Sequence, residues 1–140
     1  MSTVLWANQL ADGAVTSDEE DKAALFRHSS RLDAICRKLG LGPFSALCDS
    51  TDVRFNHGDF ELPPGAESTN DVMAKEGVWV DAGEAVRRLQ AMLAHITQNK
   101  TRFGLLRNDL DDVIAELQQS IGFAELAAAA KAKFNFCIVE

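Results

Sequence analysis

The chain has 140 residues, 46% of them hydrophobic and 25% charged, with a formal net charge of −7. This composition fits one globular domain over residues 1–140 and is unlike that of a disordered chain. The acidic balance would repel a phosphate backbone, so no nucleic-acid partner is expected. The absence of 18 consecutive apolar residues, or of a basic stretch before an apolar run at the N-terminus, sets aside a membrane span and a standard secretion signal.

Thr3 to Gln9 alternates Val4, Trp6 and Asn8 with Leu5, Ala7 and Gln9, the period of a strand, and Asp12-Gly13 then turns the chain. Ser17 and Glu20 have the spacing of a capping box, which predicts a helix from there to about Leu39, where Gly40, Gly42 and Pro43 end it. The acids Asp18 to Asp21 would favour its N-terminal end. The buried face of this helix is Leu25, Ser29, Leu32, Ile35, Cys36 and Leu39; Arg27, Arg31, Arg37 and Lys38 form a solvated basic side. His28 falls within the apolar stripe, so a partly buried, hydrogen-bonded histidine that binds no metal is expected. Pro43 to Cys48 reads as a short helix with Pro in its first turn.

Asp52 to Asn56 has period-two character and reads as a short strand, after which Pro63-Pro64-Gly65 interrupts regular structure. Thr69 or Asn70 can cap a short helix through Glu76, ended by Gly77, and Val78 to Val80 continues as an extended segment. The best specified element is Asp81 to Asn99. Ala82, Ala85, Val86, Leu89, Met92, Leu93 and Ile96 form one apolar helical stripe, and Asp81 with Glu84 resembles a capping box in which Asp replaces Ser or Thr. That stripe is expected at the centre of the core. Lys100 to Arg107 connects it to a last helix capped by Asn108, with Leu110, Val113, Ile114, Leu117, Ile121, Ala124 and Ala128 on one face. Phe123, Leu126 and the alanine run predict burial of its C-terminal half on more than one side. Phe134 to Val139 closes the chain as a strand.

Runs of helices between two terminal strands favour an α+β fold over a doubly wound sheet: a predominantly helical single domain with a small sheet including the N- and C-terminal strands. Those strands are expected in one small sheet, covered on one face by the central and C-terminal helices, with Trp6 and Phe136 mostly buried.

No HExxH, EF-hand, P-loop or GxSxG motif is present. Cys36, Cys48 and Cys137 are odd in number and lack a CxxC pair, which suits a reducing cytoplasm and suggests neither a disulfide framework nor a zinc ribbon. Between residues 49 and 76 seven acids, Asp49, Asp52, Asp59, Glu61, Glu67, Asp71 and Glu76, face only Arg54 and Lys75, a net −5. Long connections with clustered like charge are tolerated where solvent or a basic partner offsets them. Asp49, Asp52, Asp59, Glu61, Glu67 and Asp71 are therefore the candidate binding residues, for a basic protein. The corresponding function is that of a small acidic cytosolic binding or regulatory protein, immunity-like in size and charge, that neutralises a basic partner and needs no cofactor. The alternative is an enzyme with a site around residues 57–61, where His57, Asp59 and Glu61 would project to one side of an extended segment and could ligate a metal. A solvated acidic loop with one histidine explains that stretch more simply. No catalytic residue is assigned.

Overall fold

The computed structural model describes residues 2–57 and 61–140, without the side chain of His57. The fold is α+β, and both terminal strands lie in its sheet. Strand β1 (Val4–Ala11) runs antiparallel to β5 (Lys133–Val139), with Ala7 opposite Phe136 and Asn8 opposite Asn135. On its other side β1 pairs with β2 (Ala14–Ser17). The second edge of β5 is shared by two-residue strands: β3 (Cys48–Asp49), parallel to it, and β4 (Val80–Asp81), antiparallel. Strand β5 is thus the centre of the sheet.

The alternation of β1 and β5 sends Leu5, Ala7, Phe134 and Phe136 to one face. There they meet helices α1 (Ala23–Arg27), α2 (Ser29–Lys38), α5 (Ala82–Asn99) and α6 (Leu110–Ala129) in one core. Ala82, Ala85, Leu89, Met92 and Ile96 of α5 are all buried, as their spacing requires. Asp81 accepts the Glu84 N–H at 3.0 Å, but the returning half of the capping box is not made, because Arg87 and Arg88 take the Glu84 carboxylate. Those bonds hold that carboxyl down at about 2. Helices α3 (Thr51–His57) and α4 (Thr69–Glu76) belong to the opposite face, where Met73 reaches Asn8 and Asn135.

Several sequence expectations need correction. Asp12 and Gly13 both have positive φ, 52° and 76°, the conformation of a two-residue hairpin turn, so Ala14–Ser17 returns as β2 and no helix begins at Ser17. Asp18 fixes the following loop: it accepts the Ala7 and Glu20 N–H groups, each at 3.1 Å, and its other oxygen pairs with the fully buried Lys22 ammonium. Helix α1 then starts at Ala23, and the first-turn N–H groups of Ala24 and Leu25, which have no partner within the helix, are bonded to the Glu116 carboxylate of α6, at 3.3 and 2.9 Å. Burial raises the pKa of that carboxyl. Asp52 to Asn56 lies in α3 and not in a strand: Asp49 accepts the Thr51 N–H at 2.9 Å at its start, and Asp52 meets Asn56 one turn later. Ser68 occupies the cap of α4, one residue before the expected pair. Asp109 stands at the cap of α6, while the Asn108 side chain still accepts the Leu110 N–H at 3.1 Å. Phe136 is fully buried, but Trp6 is only half-buried, and Leu126 is 73% exposed, so the end of α6 is not covered on its second side.

The predicted long helix is also divided at His28, whose φ of −105° and ψ of 21° turn it aside. Its imidazole, 13% exposed, lies 2.8 Å from Asp109 and edge-on to Phe103. Asp109 receives Arg27 at 2.9 Å as well, and Arg107 approaches its other oxygen at 3.3 Å. This buried carboxylate ties the α1–α2 junction to the start of α6. The hydrogen bond from His28, and then that from Arg27, hold its carboxyl below the ordinary aspartate value. A carboxyl whose folded pKa is depressed stabilises the fold above its unfolded value of about 3.9 and loses that contribution as pH falls through the folded value. Asp109→Asn should therefore melt below the wild type at neutral pH, and the difference in melting temperature should shrink once the pH drops below about 4. Parallel melting curves over that range would show the pair to be unimportant.

Candidate functional site

The described parts of the acidic stretch, residues 49–57 and 61–76, are docked on the sheet by their own residues. Asp49, 3% exposed, spends both carboxylate oxygens on backbone: one accepts the Thr51 N–H, the other the Val78 N–H at 2.8 Å. It is a tether, and this removes it from the residues available to a partner. Trp79 donates its indole N–H to the Met73 carbonyl at 2.8 Å, fixing the C-terminal end of α4. Val72 and Met73 are buried beneath the segment. Below them lie two asparagines of the paired strands: Asn8 donates to the Asn135 side-chain oxygen at 3.1 Å, and Asn135 donates to the Val78 carbonyl at 2.8 Å.

The other sequence-predicted residues separate into two groups. Asp52 bridges the two helices, accepting the Thr69 hydroxyl at 2.7 Å and the Asn56 amide at 3.0 Å. It also lines a cleft of about 230 Å³ together with Trp6, Asn8, Ser17, Glu19, Asn70, Cys137 and Val139. Glu67 and Asp71 sit beside the β1–β2 turn and line a second cleft of about 440 Å³ with Gly13, Gly65, Ala74 and Lys75; the Glu67 N–H is bonded to the Asp71 carboxylate at 2.8 Å. Glu61 is exposed. Asp59 and the side chain of His57 lie outside the described residues, so the proposed His57, Asp59, Glu61 constellation has no described geometry. Among the described residues no group of three His, Cys, Asp or Glu side chains is placed to hold a metal ion.

Two features of this surface were missed in the sequence. Glu19 is brought to Asp52 by the β1–β2 hairpin, and the reading of Ser17 to Glu20 as a helix start hid that approach. The half-buried Trp6 shares this cleft, its indole N–H donated to Asp21 at 2.8 Å. An aromatic wall flanked by two carboxylates suits a guanidinium or ammonium group.

The thiols are poorly suited to nucleophilic chemistry. Burial pushes Cys137 up to about 11 and Cys48 up to about 12, and it raises Cys36 as well. They are protonated at neutral pH, and the thiolate is the reactive form. Among the described residues no helix is long and apolar enough to cross a membrane. Comparison with protein-family models, with curated proteins and with solved structures yields no match to this chain.

Asp49→Ala should strand the buried Thr51 N–H and release the part-buried Val78 N–H. The expected loss is about 1–3 kcal/mol, the typical cost of one unsatisfied buried donor. Chemical denaturation measures it, and a loss below about 1 kcal/mol would mean that the segment is held without its tether.

Proposed function

We propose that the chain is a binding or regulatory protein that neutralises a basic protein partner through the α3–α4 surface, and that it works in the reducing cytoplasm. The observation that carries this reading is the cleft in which Trp6, Glu19 and Asp52 meet. It offers an arginine or lysine of the partner two carboxylates and an indole at one place, with Glu61, Glu67 and Asp71 exposed on the surrounding segment. Docking on the sheet supports recognition, because an ordered surface loses less conformational entropy on binding than a loose acidic loop would. Three unpaired cysteines, two of them buried, suit a reducing compartment. The enzymatic alternative has less behind it: protonated thiols supply no nucleophile, and of the 57–61 group only the exposed Glu61 has a described side chain.

An acidic surface that meets a basic partner acts mainly on the association rate, and salt screens the attraction over a Debye length of roughly 8–10 Å. The test takes a partner recovered from native extract and measures its association with the wild type and with a variant carrying Glu19→Gln, Asp52→Asn, Glu67→Gln and Asp71→Asn. The wild-type rate should fall steeply with added salt. The variant should associate about ten-fold or more slowly at low salt and show little salt dependence. Equal rates and equal salt dependence would remove this surface from recognition.

A further inference from the structure

On another part of the molecule the charge is reversed. The last two turns of α2 and the end of α5, with the residues that follow it, form a cleft of about 370 Å³ whose lining includes Arg31, Ala34, Ile35, Lys38, Lys100 and Arg102. Four of these are formal cations, and no acidic side chain lines the cleft among the described residues. That is unusual in a chain of net charge −7, where basic side chains have many carboxylates to choose from. Of the ten lysines and arginines outside the cleft, five, Lys22, Arg27, Arg87, Arg88 and Arg107, are in ion pairs among the described residues. The side chains of Arg31, Lys38 and Lys100 have no hydrogen bond or ion pair among the described residues. Arg102 is held in place by donating to the Gly104 and Leu105 carbonyls, at 2.8 and 2.9 Å.

A plainer role for basic residues here is to offset helix ends, since α2 and α5 both terminate at the cleft. Magnitude decides against that as the whole explanation. Two helix C-termini are equivalent to roughly one negative charge together, so four cations leave an excess of about three positive charges in a concave site. Mutual repulsion of that excess is relieved by an anion. A volume of this size is in the range of a small ligand, and buried Ile35 with Ala34 provides a short apolar stretch on its wall.

We propose that this cleft binds a small, multiply charged phosphate anion, held by Arg31, Lys38, Lys100 and Arg102. The same chemistry is offered by a free polyphosphate or by a multiply phosphorylated lipid headgroup. Leu105 and Leu106, 94% and 102% exposed just beyond Arg102, would meet the bilayer in the second case. The site is independent of the acidic surface.

The test titrates the full chain with inorganic tripolyphosphate, following backbone amide shifts by NMR and affinity by calorimetry at two salt concentrations. Shifts should concentrate at Arg31, Lys38, Lys100, Thr101 and Arg102. Arg31→Gln with Lys38→Gln and Lys100→Gln should weaken binding about ten-fold or more and flatten its salt dependence, while Lys133→Gln, at the start of β5, should leave it unchanged. The three positions are on the surface, and an unaltered melting temperature checks that the triple variant is folded. Phosphatidylcholine vesicles with and without a bisphosphorylated inositol lipid identify the source: a free anion is indicated if vesicles bind no more tightly than tripolyphosphate. A lipid is indicated if they bind more tightly and Leu105→Ser with Leu106→Ser abolishes the difference. No binding of either probe, or binding that the triple variant retains in full, would overturn the proposal.

Discussion

Two buried amides in the middle of the sheet explain more of this structure than any apolar contact does. Asn8 and Asn135 face each other across β1 and β5, 1% and 0% exposed, on the side of the sheet away from α5 and α6. An amide taken out of water without partners costs about 1–3 kcal/mol by mutational measures, so a bare apolar lid over this face would be unfavourable. The lid that is present answers the requirement. The Val78 carbonyl accepts from Asn135, and the Met73 sulfur lies 3.5 Å from the same amide nitrogen. The acidic segment is therefore bound to the sheet by polar bonds with fixed geometry as well as by Val72 and Met73.

That anchoring also divides the acids by role. Asp49 is committed to the backbone N–H groups of Thr51 and Val78, Asp52 joins α3 to α4 while still lining the Trp6 cleft, and Glu61, Glu67 and Asp71 remain at the surface. A net charge counted along the sequence makes no such distinction. The same holds on the helical side, where Asp109 and Glu116 look like solvated acids of an amphipathic helix but bind His28 and the start of α1. In both places a carboxylate joins elements far apart in the chain, which stabilises the packing of whole helices and leaves fewer acids free.

How much of this was legible depended on the range of the interaction. The stripe of α5 and the alternation of β1 and β5 are local periodicities, and they predict the core of α5 and the place of both terminal strands in one sheet, though not that these two pair directly. Expectations failed where a distant group replaced a local one. Ser17-x-x-Glu20 has the spacing of a cap, yet Ala7 from the neighbouring strand bonds Asp18 and holds this stretch as a loop, while Glu116 supplies the cap of α1 from the other end of the chain. Asp52 to Asn56 alternates like a strand, but Asp49, fixed by the distant Val78 N–H, turns its other oxygen to the Thr51 N–H and starts a helix there. Asp12-Gly13 did carry a signal for the hairpin, since this pair favours the positive φ of a two-residue turn, and following it one step further would have found β2. The basic cleft had no comparable signal, because its lysines and arginines come from two helices and a loop that only the fold brings together.

The central claim is that residues 49–57 and 61–78 are part of the folded unit and not an acidic appendage to it. Native-state hydrogen exchange tests this directly at the amides of Val72, Met73, Val78 and Asn135. The account predicts that Val72, Met73 and Val78 open with a free energy close to that of Asn135 in the central strand, because the tether and the asparagine pair join them. Exchange of Val72, Met73 and Val78 near the rate of an unstructured chain, with Asn135 still protected, would contradict it.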